Sequence, residues 1–252
     1  MSKAEGTYDA LAACYDAMTE DVAYERWADY LESVFAQEGV PVHTVLDLAC
    51  GTGTMSYLLA ERGYELIGVD FSPEMLAVAA GKTVPPGAEP PIFLCQAMED
   101  LDLYGTVDAC VCLLDSVNHV TDPETLQKAL HRVWLFLEPG GLFVFDIHTP
   151  EHLQGLDGGI FLDETEDAYC VWRTDYEDRV CTYAMDVFQR EPGGLWERSG
   201  ELHEEFAYTP EELSMYLAQA GFVSIHQYGN LTLQAPTAGE DRLFFTARKP
   251  HQ

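Results

Sequence analysis

Positive charge is scarce in this chain: 13 Lys and Arg stand against 43 Asp and Glu in 252 residues, a formal net charge of −30 at pH 7. That balance repels a polyanion such as RNA or DNA, and no basic run offsets it, so no nucleic-acid partner is expected. An acidic surface names no substrate, because solubility alone accounts for it. No apolar run approaches the ~20 residues of a membrane-spanning helix, so no membrane partner is expected. The opening Met1-Ser-Lys-Ala-Glu-Gly lacks the apolar core of a signal peptide. The seven cysteines, at 14, 50, 95, 110, 112, 170 and 181, form no C-x-x-C pair. Neither a zinc site nor a disulfide framework is indicated, and a cytoplasmic location is the expectation. Internal repeats and low-complexity tracts are also missing. What remains is 47% hydrophobic and 22% charged, long enough to bury one large core, with or without a lid.

The most informative stretch is Val45-Leu-Asp-Leu-Ala-Cys-Gly-Thr-Gly-Thr54, answered by Glu65-Leu-Ile-Gly-Val-Asp70. It reads as a buried strand, a glycine-pivoted turn and a helix, then a strand ending in an acid. A Cβ at Gly51 or Gly53 is expected to fill the space where a ligand approaches the backbone. Asp70 stands where a ribose diol lies across the crevice of a doubly wound sheet. The dinucleotide fingerprint G-x-G-x-x-G requires a third glycine, and here the run is Gly51-Thr-Gly53-Thr-Met-Ser56. Asp47, four residues before Gly51, repels a pyrophosphate but attracts the ammonium and sulfonium of S-adenosylmethionine. A nicotinamide enzyme and a ligand-free βαβ turn are the competing readings.

Strands are expected at 45–49, 65–70, 92–96, 107–114 and 142–147, alternating mostly with helices, which implies a parallel doubly wound α/β sheet. Residues 8 to 39 read as two helices, the second with Trp27, Tyr30, Leu31, Val34 and Phe35 on one face. Ser72-Pro73-Glu74 and Asp122-Pro123 are helix starts, and Thr209-Pro-Glu-Glu212 is a capping box. Strands 222–228 and 242–248 close the sheet, the last expected to be antiparallel. Cys110 and Cys112 share a strand face as small buried hydrophobes. Residues 155–207 break the alternation with three β-rich runs, Cys170–Tyr176, Arg179–Arg190 and Leu195–Tyr208. They read as an antiparallel meander inserted in a core of 1–154 and 208–252. It leaves the sheet edge where ligands bind, as a substrate lid, a homodimer contact, or both.

Tyr8-Asp-x-x-Ala12…Tyr15-Asp16, Asp47-Leu-Ala-Cys-Gly-Thr-Gly53, Asp70-Phe-Ser-Pro-Glu-Met75, Leu114-Asp-Ser-x-Asn118 and His203-Glu-Glu-x-Ala-Tyr208 together resemble a group of small bacterial class I methyltransferases with a β insertion. The resemblance covers nearly the whole chain. It implies a Rossmann-like, mostly parallel seven-stranded sheet with a reversed last strand. It also implies S-adenosylmethionine as cofactor and a small-molecule methyl acceptor. By position it assigns Ala49, Gly51 and Gly53 to the methionine part and Asp70 to the ribose hydroxyls. Phe71, Met75 and Met98 would wall the adenine. Gln96-Ala97-Met98 departs from the family by placing alanine where an aspartate takes the adenine amino group, so Gln96 or a backbone group is left to substitute. Tyr15 or Trp27 would close over the cofactor, with Asp47, Cys50 and Leu113 also counted at its site. The plainer reading makes Met75, Phe71 and Met98 core residues and Cys50 a small turn residue.

Asp115, in Leu114-Asp-Ser-Val-Asn-His119, follows an apolar strand at the edge where the methyl group should emerge. It holds an amine, holds the cofactor's charged end, or caps a turn. His119, His148 and His203 are the three candidates for a general base. Strand alternation puts His203 and Glu205 on one face of the third β run, with Glu204, Phe206 and Tyr208 on the other. Methyl transfer needs positioning and exclusion of water more than covalent help, so no residue must declare itself catalytic. Transfer to a small-molecule N or O acceptor is the expected function. A protein or tRNA methyltransferase, and a binding module without turnover, are the alternatives.

Overall fold

The computed structural model describes residues 11, 12, 14–84, 86–191 and 193–251. Helices α1 (Tyr15–Met18) and α2 (Tyr24–Glu38) come first. α1 is a single turn, shorter than expected, and Tyr8 lies outside the described residues. α2 buries the anticipated face, Trp27 through Phe35, and stops at Gly39 in the left-handed conformation. Next come β1 (Thr44–Leu48), α3 (Thr54–Glu61), β2 (Glu65–Asp70), α4 (Pro73–Gly81), β3 (Ile92–Cys95), β4 (Val107–Cys112), α5 (Pro123–Phe136) and β5 (Leu137–His148). Ser72 and Asp122 act as caps, accepting the backbone N–H of Met75 (3.1 Å) and Thr125 (2.9 Å). Then follow α6 (Pro150–Gly155), β6 (Ile160–Glu164), β7 (Ala168–Glu177), β8 (Val180–Arg190), β9 (Trp196–Phe206), α7 (Pro210–Ala220), β10 (Val223–Gly229) and β11 (Arg242–Arg248).

The main sheet has seven strands in the order β10-β11-β5-β4-β1-β2-β3. β1 to β5 pair in parallel, and β11 lies antiparallel between β10 and β5. The doubly wound, Rossmann-like sheet with a reversed last strand is therefore present as expected. Its order switches between β1 and β4, and the crevice beyond their C-terminal ends is where ligands bind in such sheets. Leu46, Cys110, Phe143 and Phe245 pack under α5 and α7, while Val45, Val111, Val144 and Phe244 pack under α2 and α3. Helices thus cover both faces, which is why β4 reads as an unbroken apolar run. Cys110 and Cys112 are fully buried there. Among the described residues no helix is long and apolar enough to cross a membrane.

A second, antiparallel sheet runs β6-β7-β8-β9, four strands where three were expected. β6 escaped notice because it is an edge strand with Ile160, Phe161 and Leu162 all exposed; without a buried face it shows no alternation. The β7–β8 turn sits at Asp178-Arg179, both left-handed, one residue later than expected. α6 was also missed, although Thr149-Pro150-Glu151 repeats the signal of Ser72-Pro73-Glu74 and Thr149 Oγ accepts the His152 N–H at 3.2 Å.

Two buried side chains join this sheet to the core. Asn118 donates from Nδ2 to the carbonyls of His148 (3.2 Å) and Phe206 (3.0 Å), and its Oδ1 accepts the His148 N–H (3.1 Å). Tyr208 donates its hydroxyl to the Val120 carbonyl at 2.5 Å, so it is a core residue and not part of a lid wall. Removing a partner from a buried polar group costs about 1–3 kcal/mol. Asn118→Ala is expected to lower stability by at least that amount in urea unfolding; a midpoint unchanged from wild type would remove the clamp role.

Candidate active site

Beyond β1 the backbone turns through three left-handed residues, Ala49 (φ 61°), Gly51 (φ 54°) and Gly53 (φ 74°). A Cβ built on Gly51 meets nothing within 4 Å, because that position faces open space. Gly53 differs from expectation. A Cβ there would lie 2.9 Å from the Phe93 ring and 3.2 Å from Ala79, and its N–H donates to the Cys50 carbonyl at 2.9 Å. Gly53 is therefore required by the turn and its packing against Phe93 and Ala79.

Two acids flank the turn. Asp70 accepts the Gly51 N–H on Oδ2 (2.8 Å) and the Ser72 N–H on Oδ1 (2.9 Å), leaving each oxygen further lone-pair capacity. Asp47 accepts the Ser56 hydroxyl at 2.6 Å. The residue standing in for the third glycine is thus a hydrogen-bond partner of the distinguishing acid. Burial pushes the Asp47 carboxyl up to about 6.

Every expected cofactor residue except Gly53 lines one cavity of about 420 Å³: Tyr15, Trp27, Asp47, Ala49, Cys50, Gly51, Asp70, Phe71, Met75, Gln96, Ala97, Met98 and Leu113. Tyr24, Thr52 and Ser116 line it as well and were not anticipated. The Gln96 amide is closed on the backbone of Asp102, donating to its carbonyl (3.1 Å) and accepting its N–H (2.9 Å). That side-chain amide is accordingly engaged by the chain itself. Burial, with Asp47 and Asp70 nearby, pushes the Cys50 thiol far up, which makes it a turn residue and no nucleophile. Burial likewise keeps the Tyr15 phenol protonated. Next to Tyr15, Asp16 takes the Thr52 hydroxyl (2.5 Å), the Thr54 hydroxyl (3.1 Å) and Lys82 Nζ (2.6 Å), fastening α1 over the glycine turn.

A second cavity of about 380 Å³ lies between the sheet edge and the meander. It shares Tyr15, Leu114 and His119 with the first, and Asp115, His119, His148 and His203 all line it. Leu114 and Asp115 are left-handed (φ 56° and 54°), a conformation that costs a non-glycine residue about 1 kcal/mol or more and persists only where surroundings enforce it. Here the enforcing group is Arg242, which sequence reading missed. Its guanidinium bonds Asp115 Oδ1 (2.6 Å) and Asp146, and approaches His148 Nε2 at 2.8 Å. The Asp115 N–H in turn donates to Asp146 at 2.9 Å. Burial opposes ionisation of Asp115, but His148 and Arg242 outweigh it and hold the carboxyl well below its usual range.

The three histidines differ in their partners. His148 places Nδ1 2.9 Å from Glu205 Oε2 and Nε2 against Arg242, so both ring nitrogens are engaged. Burial disfavours its imidazolium, yet Asp115 and Glu205 raise its pKa overall. His203 is 4% exposed, with Nε2 2.7 Å from Glu201. His119 places Nδ1 3.1 Å from the Glu204 carbonyl, to which it donates, and Nε2 3.9 Å from Asp115 Oδ2. The acid–imidazole face of β9 is the one turned inward, with Glu205 3% exposed. Asp115, His148 and Glu205 bring ligand-type atoms within 4.8 Å of one another; the positive charge that such a trio would draw from a metal is supplied by Arg242. A signal for Arg242 existed: β11 runs backwards, so its first residue pairs with His148 at the C-terminal edge of the parallel strands.

Comparison with known proteins agrees with this geometry. The family described as a methyltransferase domain matches residues 45–141. YqeM of Bacillus subtilis (strain 168), whose name gives a methyltransferase and states no acceptor, is 30% identical over 96% of this chain and 97% of its own length. The crystal structure of an S-adenosylmethionine-dependent methyltransferase from Clostridium acetobutylicum ATCC 824 superposes with a TM-score of 0.85 at 28% identity, covering 96% of this chain and 99% of that one. Glycine N-methyltransferase of Rattus norvegicus is 32% identical over 55% of this chain and 50% of its own length. The chain belongs to the class I S-adenosylmethionine-dependent methyltransferases. It is an enzyme of that class, and S-adenosylmethionine is its cofactor.

The raised pKa of Asp47 carries a pH prediction. A cation beside Asp47 favours the carboxylate, which is lost as pH falls through about 6. Affinity for S-adenosylmethionine, measured by calorimetry, is expected to drop between pH 7.5 and 5, by up to about ten-fold per pH unit below the pKa. Asp47→Asn should bind more weakly and flatten the profile. A wild-type affinity independent of pH would remove Asp47 from the cofactor's cationic end.

Proposed function

We propose that the protein transfers a methyl group from S-adenosylmethionine to a small-molecule nitrogen or oxygen acceptor held between the sheet edge and the meander, with His119 as general base. The observation that carries this reading is the junction at Tyr15, Leu114 and His119, common to both cavities. A space of about 380 Å³ suits a metabolite, whereas the −30 charge of the chain disfavours tRNA.

The residues present fit the cofactor. Gly51 opens the wall to a close approach, Asp70 offers lone pairs to two ribose hydroxyls, and Asp47 places a buried carboxylate by the turn. S-adenosylmethionine supplies an electrophilic methyl on a cationic sulfur. Tyr15, Trp27 and Leu113 shield that region from water, and the α1 fastening through Asp16 holds Tyr15 in place. The aromatic walls of the second cavity orient the acceptor. His119 takes its proton at Nε2, which stands 3.9 Å from Asp115 Oδ2, while Nδ1 donates to the Glu204 carbonyl. His148, engaged on both sides, is assigned to positioning, holding Asp115 and Glu205 in register. Met98 and Phe71 wall the adenine, and residues 155–207 act as the acceptor lid.

Incubation with labelled S-adenosylmethionine and a metabolite extract is expected to place label in the small-molecule fraction. Label found only in protein or tRNA, or in neither, would sink the reading. His119→Ala should cut kcat about 10²- to 10⁴-fold, the usual contribution of a general base, with cofactor affinity little changed; undiminished turnover would return the role to another group. Asp70→Ala should weaken cofactor binding by about 2–5 kcal/mol, the worth of one or two buried charge-assisted hydrogen bonds. Unchanged affinity in calorimetry would contradict the ribose role.

A further inference from the structure

We propose that the methyl acceptor is an amine carrying no carboxylate or phosphate, an inference that rests on the methyl-transfer reading above. Its basis is the charge inventory of the second cavity. Among the described residues, Asp115, Asp163 and Glu205 place carboxylates on its wall, and Arg242 is the one guanidinium or ammonium there. Arg242 is already taken, bonded to Asp115 at 2.6 Å and to Asp146 behind it. With Asp146 counted, four carboxylates stand against one guanidinium, which bonds two of them.

The histidines on this wall offer an anion no better anchor. His203 is held by Glu201 at 2.7 Å, His152 faces Asp241 at 3.3 Å, and His148 lies between Glu205 and Arg242. His119 meets the Glu204 carbonyl at Nδ1 and stands 3.9 Å from Asp115 Oδ2 at Nε2. An acceptor that brings its own carboxylate therefore meets a wall with more carboxylates than guanidinium or ammonium groups, while an ammonium is drawn to that excess, beside Tyr15, Trp172 and Tyr183. The rat relative is named for glycine, an amino acid. Its likeness covers 55% of this chain, and the one guanidinium on the wall of the cavity described here is bonded to Asp115.

An amine enters as its ammonium and gives one N–H proton to His119 Nε2. The nitrogen lone pair then forms the bond to the methyl carbon as the carbon–sulfur bond breaks, its electron pair passing to sulfur. The products are a methylammonium ion and the neutral thioether S-adenosylhomocysteine, and the proton on His119 passes to water. Positive charge is conserved on the acceptor side, where Glu205 and Asp163 stand.

Three probes of matched shape test the preference by calorimetry on the full chain loaded with S-adenosylhomocysteine: benzylamine, 4-(aminomethyl)benzoate and benzyl alcohol. Benzylamine should bind at least ten-fold more tightly than the other two, and Asp163→Asn combined with Glu205→Gln should erase most of that margin. Equal or tighter binding of the benzoate or the alcohol, or no binding of benzylamine, overturns the inference. The labelled product from the extract should be retained by a cation exchanger at pH 7 and not by an anion exchanger; an anionic product also overturns it. Absence of any label transfer with the probe preference intact fails the methyl-transfer reading alone. Label transfer without the probe preference fails this inference alone.

Discussion

Arg242 reaches the C-terminal edge of the parallel strands because β11 runs against them, and a guanidinium buried there is tolerable only with carboxylates around it. Asp115 and Asp146 provide them, and the Trp27 ring lies 5.4 Å below the charge. Breaking such a pair by removing one partner is costly, since the other charge is left buried and uncompensated. The cluster therefore holds more than itself. It keeps the left-handed backbone at Leu114-Asp115 in place, positions His148 against Glu205, and fixes α2 over the cofactor cavity through Trp27. The two cavities share this one electrostatic anchor.

The donor side depends on a second arrangement, more local in sequence. The glycine turn lends its hydroxyls, Thr52 and Thr54, to Asp16, and Lys82 closes the group from the C-cap of α4. A four-residue helix such as α1 has little intrinsic stability, so its seat over the cavity comes from these contacts and not from its own backbone. Weakening them loosens Tyr15, which stands between the two cavities.

What could be read from the sequence followed from local rules. The turn at Gly51, the acid at Asp70, the capped helices and the apolar strands each carry their reason in a few adjacent residues. The reversed last strand was visible because a loop, not a helix, precedes it. Misreadings arose where the reason lies elsewhere in space. Gly53 is glycine on account of Phe93, Gln96 is spoken for by Asp102, and β6 has no buried face to betray it. Arg242 gave no local sign, because its partners are about a hundred residues earlier in the chain. Ser56, first noticed as a missing glycine, acquired meaning only when it was found bonded to Asp47.

The cofactor cavity draws no lining residue from the meander among the described residues, whereas the second cavity takes Trp172, Tyr183, Met185, His203 and Glu205 from it. The meander meets the rest of the chain through Asn118, the His148–Glu205 contact, the Arg179–Glu212 pair and the apolar cluster around Leu11 and Leu153. Substitutions that repaint its inner face therefore leave the cofactor's contacts intact. Under the proposed acceptor assignment, descendants of one ancestor exchange one acceptor for another by drift in these strands, while inheriting an unchanged means of holding the methyl donor.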